Sequence, residues 1–287
     1  AAGAAGVCVA AAVLLADDPG AAADALRRVV ASYAVDGAET TPRPASDPSL
    51  SGAGAAIVPT ARPHRRTPAD PHTRPHLQVV ADPRAVADWP AFAAAVAAGG
   101  ADSLQIRAPG AGGGELLGWA EAALRAAPYL GVIVGERADV ARMAGASGVQ
   151  LPERGLPVGR ARRAWAGLRW GRSVHDVEGA MRAGTEGADW LVFGHVFPTD
   201  SKPDQPARGV RMLAEVVASV SIPVLAIGGI RAGNAAAVIQ AGAAGVAVMG
   251  AATRAQDPRG ATAAIRAALD GAGPARPAEE GASCASI

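Results

Sequence analysis

Short apolar, β-branched runs alternate with Ala-rich amphipathic segments from about residue 77 to residue 270. Near-continuous apolar runs are typical of strands buried on both faces, and the amphipathic segments are typical of helices that cover such a sheet. The predicted strands are Leu77–Ala81, Ser103–Arg107, Gly131–Val134, Gly148–Leu151, Arg169–Val174, Trp190–Phe197, Pro223–Ile227 and Gly245–Met249. The predicted helices are Trp89–Ala98, Glu115–Ala126, Ala138–Ala144, Val158–Trp165, Val177–Thr185, Val210–Val217, Asn234–Ala241 and Ala261–Leu269.

Eight strand–helix units in succession predict a closed (β/α)8 TIM barrel over residues 77–272. An open, doubly wound sheet is the alternative. No Gly-x-Gly-x-x-Gly follows the first strand, which argues against a dinucleotide-binding fold. Gly145 and Gly242 each lie between a predicted helix and the next strand, where glycine accepts the left-handed conformation that closes a helix.

The segments outside the barrel differ in composition. Residues 1–76 are rich in Ala and Pro, and we predict one helix, Ala21–Tyr33, followed by an irregular linker in a largely disordered extension. The tail 273–287 is also predicted to be disordered. The apolar run 1–16 is too short to span a bilayer and lacks the basic region of a secretory signal, so we interpret it as a buried segment or part of a longer upstream piece.

Histidines and cysteines outside the barrel do not suggest a metal site. The linker contains His64, His72 and His76 at irregular spacing without a Cys or carboxylate cluster, so we interpret them as solvated side chains. Cys8 and Cys284 lie near opposite ends, which gives neither a disulfide framework nor metal-ligand spacing. A reducing, cytoplasmic location is therefore expected.

Composition narrows the class of protein further. The net charge of +1 on 287 residues gives no electrostatic reason to expect binding to nucleic acid or to an anionic membrane. Aromatic residues make up only 3%, which predicts a core of Val, Ile, Leu and Ala. Nothing in the sequence decides whether copies of the chain form a homo-oligomer.

The active site of such a barrel lies at the C-terminal ends of the strands. His195, at the sixth strand, is the best candidate for a general acid/base, because imidazole exchanges protons at neutral pH. The alternative is a buried, hydrogen-bonded core histidine. His175, at the fifth strand, competes for this role, or is a capping or surface residue.

Hydroxyl groups and a cation follow His195 in the same loop. Thr199 and Ser201 can donate hydrogen bonds to a ligand or can cap the next helix. Lys202 can pair with an anionic group or remain solvated. Arg107, after the second strand, can bind a carboxylate or phosphate through two hydrogen bonds, or can form a structural ion pair.

Glycine turns follow the seventh and eighth strands, as Gly228-Gly229 and Gly250-Ala251. Glycines let backbone N–H groups approach an anion closely, and these two loops form the usual phosphate site of the fold. A merely tight turn is the alternative. We therefore predict that a phosphorylated small molecule binds here.

Residues from Leu77 to about Ala252 resemble the thiamin phosphate synthase/TenI superfamily. The matching segments are Gln105–Arg107, Gly148–Pro152, Gly171–His175, Phe193–Lys202, Pro223–Ile230 and Gly245–Gly250. The synthase branch joins a pyrimidine pyrophosphate to a thiazole phosphate, and the resemblance implies Mg²⁺ held by Asp residues and a Lys on the pyrophosphate. At those positions this chain has Gly135-Glu136-Arg137 in place of Asn-Asp-Arg, Gly155 in place of Asp and Pro109 in place of Lys, which counts against synthase chemistry.

The TenI-like thiazole tautomerases share the patterns Gly171–His175 and Gly194–Asp200 with this chain. This resemblance implies that His195 is catalytic and that the reaction is a cofactor-free, metal-free proton shift that aromatises a carboxythiazole phosphate. The substrate-binding residues are then expected to be Arg107, Ser173, Thr199, Ser201, Lys202, Gly228, Gly229, Gly250 and Ala251. The alternatives are a Mg²⁺-dependent synthase and a non-catalytic protein that binds a thiazole phosphate.

One position departs from the tautomerase pattern. Family members commonly have Ser after the Met of the eighth strand, and this chain has Gly250. A phosphate-binding hydroxyl is therefore expected to be missing, while the backbone donor remains.

Overall fold

The computed structural model describes residues 74–272 and, nearer the N-terminus, positions 18, 21, 22, 24, 25, 28, 67 and 68. Eight parallel strands follow one another around a closed barrel, in which the first strand also pairs with the last. This confirms the predicted (β/α)8 TIM barrel. The strands are β1 (His76–Ala81), β2 (Ser103–Ile106), β3 (Gly131–Gly135), β4 (Gly148–Leu151), β5 (Trp170–Val174), β6 (Trp190–Gly194), β7 (Val224–Ile227) and β8 (Gly245–Val248).

A helix follows each strand of the barrel, and two follow β8. The helices are α1 (Trp89–Ala98), α2 (Gly113–Ala126), α3 (Ala138–Ala144), α4 (Val158–Ala164), α5 (Val177–Thr185), α6 (Gly209–Ala218), α7 (Ala232–Gln240), α8 (Gly250–Thr253) and α9 (Pro258–Asp270). Gly145 (φ 67°) and Gly242 (φ 91°) adopt the predicted left-handed conformation after α3 and α7. No helix in the described part of the chain is long and apolar enough to cross a membrane.

The barrel lies in a unit that spans Arg62–Ile287, separate from Ala1–Ala61. Within the predicted helix Ala21–Tyr33, the described positions 21, 22, 24, 25 and 28 are helical. The other predictions for residues 1–73, including those for His64 and His72, lie almost entirely outside the described residues, as do those for the tail 273–287.

The prediction of a solvated His76 was wrong. This residue begins β1, its side chain is fully buried, and its Nε2 atom lies 2.8 Å from the Ser103 hydroxyl oxygen. Thr67, also within the predicted linker, is buried and accepts a hydrogen bond from Arg169 at 2.8 Å. Each of these buried polar side chains has a hydrogen-bonding partner on the barrel, which offsets part of the cost of removing it from water.

Apolar side chains pack in two layers. One lies between the sheet and the helices, and the other fills the barrel interior with Val80, Ile133, Trp190, Val192, Leu225 and Ala247. Leu, Ile, Val and Ala make up most of both layers, as the composition predicts, but the largest fully buried side chains are Trp170, Trp190 and Phe193. A few well-placed aromatic rings therefore fill volume that aliphatic residues alone were expected to fill.

Strand β6 ends at Gly194 rather than at Phe197. Beyond Gly194 the chain still hydrogen-bonds to the neighbouring strand end, because Val196 N–H donates to Ile227 O at 2.9 Å and Phe197 N–H donates to Gly228 O at 3.0 Å. The apolar run continues past the strand because these residues pack against β7. His195 therefore lies directly after β6, at the C-terminal mouth of the barrel.

Candidate active site

His195 is almost fully buried, with 5% of its surface exposed. Its Nε2 atom lies 3.1 Å from the backbone oxygen of Gln205. Because a carbonyl oxygen can only accept, Nε2 carries the proton in the neutral ring, and Nδ1 is the nitrogen that can take up a second proton. The ring is thus a buried, hydrogen-bonded histidine, as the alternative predicts, and its tautomer also suits a general base.

The two ends of the loop after β6 are hydrogen-bonded to each other. Arg208 N–H donates to His195 O at 3.0 Å, and Gly209 N–H donates to Val196 O at 3.1 Å, so residues 197–208 form a closed excursion over the barrel mouth. Helix α6 begins only at Gly209, with Arg208 at its N-cap position, which excludes the alternative that Thr199 or Ser201 caps it.

Three predicted site residues lie within this excursion. Lys202 N–H donates to Thr199 O at 3.0 Å, and Ser201 N–H lies 3.5 Å from the Thr199 hydroxyl oxygen. Thr199 and Lys202 are half-buried, and Ser201 is exposed. The loop therefore holds these three residues on one tight turn.

The turn after β7 fits closely against this loop. Gly228 and Gly229 have φ of 97° and 65°. A Cβ atom at position 228 would lie 2.2 Å from the Cβ atom of His195, and one at position 229 would lie 2.4 Å from Pro198 O. Both the left-handed conformation and the close approach require glycine here.

Backbone donors at the ends of β7 and β8 are available to a ligand. Within residues 74–272, the N–H groups of Gly228-Gly229 and Gly250-Ala251 donate to no protein acceptor. Asn234 fixes the β7 turn, because its side-chain nitrogen donates to Gly229 O at 3.0 Å and its side-chain oxygen accepts from Arg231 N–H at 2.8 Å. Such a group of oriented N–H donors can hold the oxygens of a phosphate.

A guanidinium group covers the position where the family commonly has Ser. A Cβ atom at position 250 would lie 2.5 Å from Nη2 of Arg254. The same Nη2 atom lies 3.2 Å from the carboxylate of Asp200 in the β6 loop. Sequence reasoning missed Arg254, because the short helix α8 that precedes it shows no amphipathic pattern.

Two predicted residues lie at the end of β5. His175 Nδ1 lies 2.5 Å from Gly194 O, the carbonyl directly before His195, and its Nε2 atom lies 3.9 Å from the carboxylate of Glu153. Asp176, not His175, caps α5. Ser173 accepts a hydrogen bond from the side chain of Gln150 at 3.1 Å, a partner that sequence reasoning also missed.

The arginines at the ends of β2, β3 and β5 differ in their contacts. Arg107 is exposed, and in the described part of the chain no side chain forms a hydrogen bond or an ion pair with it. Arg137 instead donates to Asp139 at 2.8 Å, and this hydrogen bond lowers the pKa of the Asp139 carboxyl to about 2. Arg172 donates to the backbone oxygen of Glu153, and burial lowers the pKa of its guanidinium.

Comparisons with known proteins agree with this architecture. The family model described as thiamine monophosphate synthase matches residues 77–252, more than half of the chain. A thiamine-phosphate synthase from Methanoculleus marisnigri is 48% identical over 159 residues, which cover 54% of this chain and 75% of that protein. One from Anaeromyxobacter dehalogenans is 42% identical over 193 residues, which cover 66% of this chain and 87% of that protein.

Solved structures give the same result. Thiamine phosphate pyrophosphorylase from Pyrococcus furiosus superposes with a TM-score of 0.64 at 34% identity, over 69% of this chain and 96% of that chain. A 3-hexulose-6-phosphate synthase superposes with a TM-score of 0.54 at 23% identity, which shows the fold alone. The chain therefore belongs to the thiamine monophosphate synthase and TenI family of (β/α)8 barrels.

Proposed function

We propose that this protein is a thiazole tautomerase, which aromatises a carboxythiazole phosphate by moving one proton. Membership of its family assigns the chain to enzymes of thiamin biosynthesis, and the type of reaction is the proposal. The observation that carries it is the buried His195 ring, whose tautomer is fixed by Gln205 O and which packs against a turn of available N–H donors.

The chemistry needs one group that both removes and returns a proton. Nδ1 of His195 takes the proton from the ring carbon of the non-aromatic substrate, and the resulting imidazolium returns it to the exocyclic carbon. The Nε2–H bond to Gln205 O is kept in both states and stabilises the charged ring. Bonds and protons balance, because the product is an isomer of the substrate, and aromatisation provides the driving force.

The remaining groups suit an anionic substrate. The N–H groups of Gly228-Gly229 and Gly250-Ala251 bind the phosphate, and the exposed Arg107 faces the carboxylate from the opposite side of the barrel. Thr199 and Lys202, both half-buried in the β6 loop, are the polar side chains of this loop that we assign to the substrate. Holding the two anionic ends keeps the reacting carbons beside His195.

A thiamin-phosphate synthase is the second candidate, and the names of the relatives support it. That reaction needs Mg²⁺ held by oxygen ligands. Of the two positions that the resemblance associates with metal-binding carboxylates, one is Glu136 and the other is Gly155, which has no side chain. Glu136 alone provides a single carboxylate, so this donor set does not fit Mg²⁺.

The deciding experiment follows the non-aromatic carboxythiazole phosphate by proton NMR in the presence of EDTA. Wild-type protein is expected to aromatise it, and His195→Asn is expected to slow the reaction by about 100-fold or more, the usual contribution of a general acid/base. His175→Asn is the matched control, because its amide can still donate to Gly194 O, and it is expected to retain most of the rate.

Two outcomes would contradict the proposal. If the wild-type protein does not accelerate aromatisation but forms thiamin phosphate when Mg²⁺ and the pyrimidine pyrophosphate are added, the synthase is correct. If it binds the thiazole phosphate and catalyses neither reaction, the protein is a binding module.

A further inference from the structure

Three side chains form a hydrogen-bonded chain inside the barrel, from β6 through β4 to β5. The indole N–H of Trp190 donates to Oε1 of Gln150 at 2.9 Å, and Nε2 of Gln150 donates to the Ser173 hydroxyl oxygen at 3.1 Å. Trp190 and Gln150 are buried, with 0% and 4% of their surfaces exposed, whereas Ser173 is half-buried at the end of β5. The chain thus leads from the core to the site.

Each hydrogen bond in this chain can have only one direction. An indole N–H donates and never accepts, so the atom of Gln150 that faces Trp190 is the amide oxygen. The NH₂ group of Gln150 must then face Ser173, whose oxygen accepts. The hydroxyl proton of Ser173 is left for another acceptor, and no residue in the described part of the chain accepts it.

Close packing keeps the Trp190 indole and the Gln150 amide in this arrangement. A Cβ atom at position 171 would lie 2.1 Å from Oε1 of Gln150 and 2.3 Å from Nε1 of Trp190. One at position 148 would lie 2.9 Å from the far edge of the Trp190 ring. Gly148 and Gly171 therefore make the space in which the indole and the amide meet.

We propose that Gln150 is a positioning residue, which makes the Ser173 hydroxyl a permanent donor toward an acceptor atom of the bound ligand. The pocket then selects a ligand that presents an oxygen or nitrogen lone pair at the end of β5. The identity of that ligand, a carboxythiazole phosphate, rests on the proposed function, but the direction of the hydrogen bond does not. Within the Gly171–His175 motif, Gly171 then leaves space for the Trp190 indole and the Gln150 amide, and Ser173 donates a hydrogen bond to the ligand.

The variant Gln150→Glu tests the direction of the hydrogen bond between residue 150 and Ser173. A carboxylate still accepts from Trp190, but it cannot donate, so it draws the Ser173 proton toward itself and away from the ligand. We expect kcat/KM at pH 8 to fall by about 10-fold, as for the loss of one hydrogen bond. Ser173→Ala should cause a similar fall, and the double variant should be no worse than either single variant, because both remove the same donor.

Two further measurements distinguish a Gln150 that orients the Ser173 hydroxyl from one that only stabilises the barrel interior: the pH profile of Gln150→Glu and the activity of an uncharged variant. Once protonated, the carboxyl group introduced by Gln150→Glu can donate again, so the deficit of this variant relative to wild type should shrink as the pH is lowered toward 5. Gln150→Met leaves the Ser173 hydroxyl free to donate and should be less impaired than Gln150→Glu. A supporting role predicts the opposite order, because Met also leaves the Trp190 N–H unpaired.

Gln105→Glu is the matched control. Gln105 is buried, accepts a hydrogen bond from Gln78 at 2.9 Å, and forms none with Ser173. An equal loss of activity in Gln105→Glu and Gln150→Glu, or additive losses in Gln150→Glu/Ser173→Ala, would overturn the proposal. If wild type shows no turnover, the proposed function fails, and calorimetric Kd values for the aromatic carboxythiazole phosphate across the same variants test the donor alone.

Discussion

The two halves of the barrel mouth are built differently. At the ends of β5–β8, the loops are packed against one another so closely that Gly228 has no room for a Cβ atom beside His195. At the ends of β2–β4, Arg107 is exposed, Arg137 is paired with its neighbour Asp139, and Gly110 has open space around it.

This difference separates two tasks. Proton transfer requires a base fixed within a fraction of an ångström, which a tightly packed half provides. Recognition of a carboxylate requires only a long cation with an available guanidinium, which the open half provides in Arg107. Changes in the packed half should therefore impair both folding and chemistry, whereas changes in the open half should alter binding or have little effect.

The largest effect is expected for Gly228→Ala. The added methyl group would lie 2.2 Å from the Cβ atom of His195, and alanine is strained at φ 97°. Left-handed strain costs about 1–2 kcal/mol and overpacking about 1–3 kcal/mol, so the free energy of unfolding should fall by about 2–5 kcal/mol. Urea denaturation measures this change, and turnover should fall at least 10-fold because His195 is displaced.

Gly110→Ala is the control from the open half. Gly110 also has a positive φ, 76°, but no atom lies within 4 Å of the Cβ position. Only the conformational cost of about 1–2 kcal/mol should appear, with kcat unchanged. If both variants lost the same stability and the same activity, the two halves would not differ in packing as we describe.

The next effect distinguishes two arginines of the open half. Arg107→Gln should raise KM for the carboxythiazole phosphate by about 10-fold, since a charge-assisted hydrogen bond to the substrate is lost, while the urea midpoint stays the same. Arg137→Gln should leave KM unchanged, because the Arg137 guanidinium is bound to Asp139. Steady-state kinetics of both variants test this pair, and an equal change in KM would remove Arg107 from the substrate site.

The sequence pattern located the barrel well, because strands and helices here are bounded by clear breaks. The predicted bounds of Gly148–Leu151 and Val177–Thr185 agree with the structure residue for residue. The end of β6 was misplaced, because Val196 is as apolar as the strand residues and is buried against β7 in the loop. Periodicity reports burial, and it does not distinguish a strand from a loop that packs equally well.

Contacts between distant residues could not be predicted in this way. Gln150 is an ordinary polar residue in the sequence, and its importance depends on Trp190, forty positions away. His76 follows a Pro-rich segment in the sequence, and its contact with Ser103, 27 positions away, shows that it belongs to the barrel. The position of His195 at a strand end could be predicted, because the fold fixes where strand ends lie.

The smallest effect concerns acid stability in the open half. The Asp139 carboxyl has its pKa lowered to about 2 by the hydrogen bond from Arg137, with the unfolded chain near 3.9. The ionised group therefore stabilises the fold above about pH 4, and this contribution is lost as the pH falls toward 2. Both side chains are about half exposed, which limits the gain to less than about 1 kcal/mol. Asp139→Asn should lower the urea midpoint slightly at pH 7 and match wild type near pH 2, whereas a constant difference across this range would show that packing, not charge, is involved.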